Sequence, residues 1–325
     1  MKIGLVYDLR KDYLAQGYPE AAVAEFDSEE TIDALDRTIS SLGHQTDRIG
    51  NARALCSRLV AGDRWDLVFN IAEGLKGRSR ESQAPCILEL YDIPYTFSDP
   101  LVCAVTLDKA VTKHLLIAAD LRTPRFAVIA VPGDISNIKL QYPLFAKPIA
   151  EGTGKGIDVD SKVESPAELN RTCGRLLKEY PGQAVLVEEF LPGREFTVGI
   201  IGTGRDARVI GTMEIVIPDG SLKAIYSYKT KELCDSLVKY HPAPRDCVRD
   251  AVENLALKSY RALECRDAGR VDIRLNTSGE PSFMEVNPLP GLHPTHSDLP
   301  MIATQEGISY EQLIASIIES ALKRK

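Results

Sequence analysis

The stretch RVDIRL, residues 270–275, alternates polar and apolar side chains without a break, and MEVN at 284–287 alternates again after the turn signal TSGE. Successive side chains of a strand face opposite sides. Arg270, Asp272 and Arg274 therefore share one face of the first arm, and Glu285 and Asn287 share one face of the second. A turn centred between Ser278 and Gly279 predicts Asp272 opposite Glu285, and Arg270 opposite Asn287. Opposed residues hold their Cβ atoms about 5 Å apart. Two ionised carboxylates at that spacing repel by roughly 3 kcal/mol at an effective dielectric near 20. A shared proton, the flanking arginines or a bound cation would offset this. Two acids and an amide are oxygen ligands of the kind that suit Mg²⁺ beside a phosphate. The other reading is a hairpin whose polar face meets water. Against it stands the loop that follows, NPLPGLHPTHSDLP, because polar loops after rigid strands commonly carry chemistry.

The chain has 325 residues, enough for two or three domains with a sizeable core. A net charge of −7 and a pI near 5.4 argue against a general nucleic-acid or membrane-surface role. No apolar run approaches membrane-spanning length. MKIGLVYD starts a strand at once and leaves no room for a signal peptide. Seven cysteines without a C-x-x-C suggest reduced thiols rather than a zinc site or disulfide framework. The expected address is the cytoplasm.

KIGLVYD and WDLVFNIAEG read as buried parallel strands. Between them Asp27 and Glu30 form a capping-box pattern before a helix ending near Gly43. ARALCSRLVAG and SQAPCILELYD read as helices and IPYTF as a further strand, so the first 97 residues or so form a parallel α/β layer. No G-x-G-x-x-G follows the first strand, so dinucleotide binding is not expected. TLDKAVTKHLLIAAD is helical, RFAVIA and YPLFAKP are strands, and Ser165 opens the helix PAELNRTCGRLLKEY. AVLVEEFLPGREFTVGII and RVIGTMEIVI make a second β-rich region. ISYEQLIASIIESALK closes the chain as an amphipathic helix with a Ser309/Gln312 capping box.

KPIAEGTGKGI places glycines after a strand that ends in Lys147. Such a turn can fold backbone N–H groups around an anion, although a plain mobile loop has the same composition. In VEEFLPGREFTV, Glu195 interrupts an apolar run, where an unpaired buried carboxylate would cost several kcal/mol. A salt bridge with Arg194 or another neighbour and a ligand role both meet that cost. YSYKTKE, with Lys231, reads alone as a solvated loop.

Taken together, LDKAVTK, FAKPIAEGTGKG, VEEFLPGREFTV, YSYKTKE, GRVDIRL and MEVNPLPGLHPTHSDLP resemble the ATP-grasp superfamily, and within it D-alanine–D-alanine ligase and its close relatives. The resemblance runs from about residue 66 to the C-terminus. It implies an α/β fold, α+β in the C-terminal half, with three-domain ATP-grasp architecture. Residues 1–98 would be a Rossmann-like N-terminal domain, 99–185 a central subdomain with the glycine-rich loop, and 186–325 a C-terminal subdomain with the metal hairpin. It implies an ATP- and Mg²⁺-dependent carboxylate–amine ligase of cell-wall biosynthesis, working through an acyl phosphate on small amino acids, with Mn²⁺ able to substitute. A homodimer is implied, with no nucleic-acid or membrane partner.

The resemblance also implies roles. Lys109 and Lys147 would hold ATP phosphates, under the loop of Gly152, Thr153 and Gly154. Glu188, Glu189, Phe190 and Leu191 would meet adenine, and Glu195 the ribose. Lys231 would reach the phosphates from a closing loop. Asp272, Glu285 and Asn287 would bind two Mg²⁺ ions. Arg270 and the Gly291 N–H would stabilise the tetrahedral oxyanion, and Ser297 would hold the second substrate's carboxylate. The departures fall on the substrate side. Thr153 and Gly154 replace a Ser-Ser pair, and Glu232 replaces a tyrosine beside Lys231. NIAEGLKGRSRES replaces a histidine-glycine segment, and one residue is added between Gly291 and Ser297. The Gly-Gly-x-Ser-x-Glu segment that binds the first ammonium is missing, with Glu29 or Glu30 as its candidate replacement. A ligase for another amino or hydroxy acid pair is therefore the alternative, and a regulator without catalysis a further one.

Overall fold

The computed structural model describes residues 1–216 and 238–324. It contains three sheets, each carried by its own stretch of the chain. The first is parallel, with β1 (Lys2–Val6) between β2 (Gln45–Gly50) and β3 (Leu67–Asn70). All four residues of β3 are buried, as a strand covered on both faces requires. The edge strand β2, QTDRIG, has no apolar periodicity to announce it and forms by pairing with β1. IPYTF does not extend this sheet; it contributes only the bridge Val68–Tyr95. The helix Glu29–Ser41 is capped by Ser28, whose hydroxyl accepts from the Thr31 N–H at 3.3 Å, one residue beyond the Asp27 that the sequence pattern suggested.

The second sheet is ordered β4-β7-β5-β6, from β4 (Phe126–Ile129), β5 (Leu144–Pro148), β6 (Lys162–Val163) and β7 (Val185–Glu189). The single helix expected around LDKAVTK is two, Pro100–Leu107 and Lys109–Ala118. Asp108 stands between them in extended backbone and caps the second through the N–H groups of Ala110 and Val111, 3.1 and 3.0 Å away. That break sets Lys109 at the start of a helix, where its ammonium can reach sideways.

The third sheet is antiparallel and ordered β10-β9-β8-β11-β12, from β8 (Glu195–Ile201), β9 (Arg208–Val216), β10 (Lys239–Pro242), β11 (Ala268–Leu275) and β12 (Pro281–Asn287). Its apolar face packs on the helix Cys247–Ala262. The other face joins the N-terminal sheet through the closing helix Tyr310–Leu322, so Leu5 and Leu35 share a core with Ile302, Ile314 and Ile317. Each such fully buried aliphatic side chain contributes about 2 kcal/mol. The N-terminal loops are thereby fixed against the C-terminal sheet. Among the described residues no helix is long and apolar enough to cross a membrane.

Candidate active site

The hairpin β11–β12 pairs Asp272 with Glu285 and Arg270 with Asn287. It does so with a bulge. Beyond Asp272 the register shifts, Ile273 pairs with Phe283, and Met284 is left between them. Bulges re-aim side chains next to sites. Here the bulge keeps Glu285 and Asn287 on the face of Arg270 and Asp272 while Phe283 goes to the core.

Every charge on that face is engaged. Arg270 donates to both Asp272 oxygens, at 2.8 and 2.6 Å, and lies 3.3 Å from Asp298. The Thr197 hydroxyl donates to Asp272 at 2.9 Å. Burial pushes the Asp272 carboxyl up to about 6, against the pull of Arg270 and with the push of Glu285. Glu285 goes the other way. Burial would raise it, but Lys109, Lys147 and Arg270 together hold it at about 2. Lys109 lies 3.3 Å from Glu285 and donates to the Glu151 carbonyl at 2.6 Å. The Asn287 amide nitrogen is buried and has no partner. That nitrogen is a donor suited to a phosphate oxygen, while the two carboxylates and the Asn287 amide oxygen are the ligand types that fit a hard divalent cation completing its shell with water and phosphate oxygens.

Behind the hairpin lies a buried ionic triad. Glu188, 1% exposed, accepts from Lys113 at 2.8 Å and Lys147 at 2.7 Å. Burial alone would raise its carboxyl; the two ammonium groups hold it at about 2. Lys113 is fully buried, and desolvation brings it down to about 8 even though Glu188 favours its charge. Its remaining donors go to the Thr123 hydroxyl at 2.7 Å and the Phe283 carbonyl at 3.5 Å. Lys113 was not among the expected residues. Its place four residues after Lys109, on the same helix face, was the available signal.

Glu189 pairs with Arg125 at the surface, Nε to Oε at 2.7 Å, and Leu191 is buried. The Phe190 ring faces Phe145, with Lys162 and Arg274 over it at 4.9 and 5.5 Å. Glu195 pairs with Arg274 at 3.2 Å, while Arg194 takes Glu214 instead. Gly152 donates its N–H to Glu25 at 2.7 Å, and a Cβ there would lie 2.6 Å from that carboxylate. Thr153 follows at φ +48 and Gly154 at φ +75. Gly291 faces the Ser297 hydroxyl, which a Cβ would meet at 2.8 Å. Ser297 in turn accepts from the His293 N–H at 2.9 Å. Arg270, Gly291 and Ser297 line one cavity of about 760 Å³. Lys231 and Glu232 lie outside the described residues.

Glu29 is not brought to this cluster. It is exposed and pairs with Lys11, whereas the alternative candidate Glu30 meets His293 at 3.4 Å and lines the cavity of Arg270, Gly291 and Ser297. Glu25 enters instead, held by Arg80 at 3.1 Å, Lys155 at 3.0 Å and the Gly152 N–H. Burial would raise Glu25, and Arg80 and Lys155 lower it. Nothing periodic around EFDSEET distinguishes Glu25 from its neighbours; only its contacts with Arg80, Gly152 and Lys155, far along the chain, do.

The family described as D-ala D-ala ligase C-terminus matches residues 118–319. A D-alanine–D-alanine ligase of Bordetella petrii is 35% identical over 272 residues, 83% of this chain and 79% of that protein. In fold the chain is similar to a Bacillus anthracis D-alanine–D-alanine ligase complexed with ATP, with TM-score 0.76, 21% identity, and 100% and 98% of the two chains covered. It is also similar to the VanG D-Ala:D-Ser ligase of Enterococcus faecalis, with TM-score 0.74, 23% identity, and 98% and 99% covered.

Proposed function

The chain belongs to the D-alanine–D-alanine ligase family, and from that premise we propose how its residues divide the work. It is an ATP-dependent ligase of ATP-grasp architecture, from a family that acts on small amino acids. In our reading the γ-phosphoryl group of ATP passes to the carboxylate of one small amino acid. The amine of a second then attacks the acyl phosphate, releasing phosphate and forming a peptide bond. D-Alanine, or an acid close to it, is the first choice for both.

Lys109 and Lys147 draw the phosphates inward under the loop of Gly152, Thr153 and Gly154, joined by Lys231. Glu188, Glu189, Phe190 and Leu191 border adenine, and Glu195 the ribose. Asp272, Glu285 and Asn287 would hold two Mg²⁺ ions, or Mn²⁺ in their place, which neutralise charge on the transferring group. Arg270 and the Gly291 N–H face the carbonyl oxygen as it becomes an oxyanion, and Ser297 takes the second carboxylate. The division at 1–98, 99–185 and 186–325, a cytoplasmic setting and a homodimer complete the proposal.

The observation that carries it is the Asp272–Glu285 pair, opposed across a hairpin beside Lys109 and Arg270. A regulator stripped of catalysis would have no need to keep that arrangement. A different acid pair is the second reading, favoured by Glu29 standing at the surface. ADP release from Mg-ATP, measured with D-alanine and with a panel of single and paired acids, tests both. Dipeptide from D-alanine alone supports the first, release with another pair supports the second, and nucleotide binding without release for any acid removes the ligase reading.

A further inference from the structure

The triad behind the hairpin holds more cation than anion. Lys113 lies 2.8 Å from one oxygen of Glu188, and Lys147 lies 2.7 Å from the other. One carboxylate therefore meets two ammonium groups, and one positive charge is left over. Geometry decides which lysine carries it. Lys113 is sealed in the interior, and beyond Glu188 it donates to the Thr123 hydroxyl and the Phe283 carbonyl. The Thr123 hydroxyl donates to that same carbonyl at 3.0 Å, and the Phe283 N–H donates to the Arg122 carbonyl at 2.9 Å. An ammonium has three donors, and those of Lys113 are all engaged inside the protein. Lys113 reaches no ligand.

Lys147 stands at the end of β5, just before the glycine-rich turn. Burial lowers both ammonium groups. At Lys147 the charges of Glu188 and then Glu285 outweigh it, and the group ends raised. At Lys113 they do not, and the amine comes down to about 8. With Lys113 absent, Glu188 would cancel Lys147, and phosphates would meet a neutral pair. Stability alone does not call for this arrangement, because apolar groups of similar volume commonly serve a core as well as buried ions do.

Resting on the ligase reading above, we propose that Lys113 is a positioning residue for nucleotide binding, which takes up the charge of Glu188 and so leaves that of Lys147 for the ATP phosphates. It acts through Glu188 and does not touch the nucleotide. Its contacts also join three elements of the site. These are the helix that begins with Lys109, strand β7 with Glu188, and strand β12 at Phe283, two residues before Glu285.

The test uses the full chain with Mg²⁺ and compares the Kd of a non-hydrolysable ATP analogue, by calorimetry, with that of adenosine, by displacement. In Lys113→Met the analogue should bind roughly 10-fold or more weaker, the worth of a hydrogen bond to a charged group. Adenosine, which has no phosphate, should bind as in the parent. Adding Glu188→Gln removes the charge that captures Lys147 and should return the analogue to near the parent affinity. A role confined to packing would weaken both ligands together, and the second substitution would not restore binding. The inference is overturned by unchanged analogue binding in Lys113→Met, by an equal loss for adenosine, or by a double variant no better than the single one. If Lys113→Met does not fold, the double variant decides alone: parent-like affinity supports the inference, and a loss of 10-fold or more overturns it. Failure of the parent protein to bind the analogue would instead remove the ligase reading itself.

Discussion

Two groups of buried and half-buried carboxylates lie within one active-site region, and their charge is met in opposite ways. On the strand side, Glu188 and Glu285 are both held near 2 by lysines of the same chain. On the loop side, Glu73 and Glu81 are raised, as is Asp27, which burial and then Asp8 push up to about 7 although Arg10 opposes them. The first group comes with its cations built in and is organised before anything binds. The second holds its protons well above the ordinary carboxylate range, because burial and neighbouring acids outweigh Arg10, Arg80 and Lys109. Nucleotide chemistry common to a family can be fixed on strands, whereas choice among substrates is carried by loops whose charge is left open.

The largest effect should come from breaking the strand-side balance. Glu188→Gln removes the ion-pair partner of buried Lys113 and leaves Lys147 only Glu285 and Glu195, and removing one partner of a buried pair costs about 3–5 kcal/mol. We expect the unfolding free energy to fall by that amount, read as a lower urea midpoint, and an unchanged midpoint would show that the triad is not what stabilises this region. The depressed carboxyl also gives a sign. Its stabilisation is complete above the ordinary value of 4.5 and is lost as pH falls toward about 2.

Next comes Glu285→Gln, which should keep the fold, because the amide is isosteric and Lys109 retains the Glu151 carbonyl. ATP turnover should fall by roughly 100-fold or more, at least the loss seen when groups merely supporting a metal ligand are removed. Near-normal turnover would take the hairpin out of the mechanism and remove the contrast between the two groups.

The loop side gives a smaller effect that depends on pH. Asp27 in the native protein binds its proton more tightly than in the unfolded chain, from an ordinary 3.8 to about 7. Stability therefore falls as pH rises from about 4 to 7, and the full cost of burying the charge is present above 7. Asp27→Asn should match the parent at pH 4 and exceed it by about 2 kcal/mol at pH 8, half of what a fully dry shift of this size would give. Urea midpoints at the two pH values measure this, and a gain at pH 4 that is absent at pH 8 would reverse the assignment.

The same contrast decides how much could be read in the sequence. Strand alternation determined which residues of RVDIRL and MEVN face the site, because a period of two leaves no choice once one face is buried. The Asp272–Glu285 opposition was reached although Met284 bulges out, because the missed bulge and the half-residue error in the turn centre offset each other. The expected turn centre was not, because a bulge has no local signature in PSFM. Lys113 was visible only as spacing. Glu25, Glu73 and Glu81 lie in segments without periodicity, and they meet at one cavity only through contacts between distant segments such as Arg80 with Glu25. The three sheets were largely legible from their apolar runs. The edge strand β2, polar along most of its length, was not.

The smallest expected effect sharpens the boundary between the groups. Glu29 is in the first turn of its helix, where a carboxylate favours the helix N-terminus, and its partner Lys11 is as exposed as it is. That position serves the helix rather than a ligand, because neither of the two cavities at the site includes it among the described residues. Glu29→Gln should leave the KM for the first substrate unchanged, as read from the same ADP-release assay. A Glu29→Gln variant with a raised KM for the acid, and an unaltered KM for ATP, would put the ammonium site at the first turn of that helix and overturn its reading as a purely helix-stabilising group.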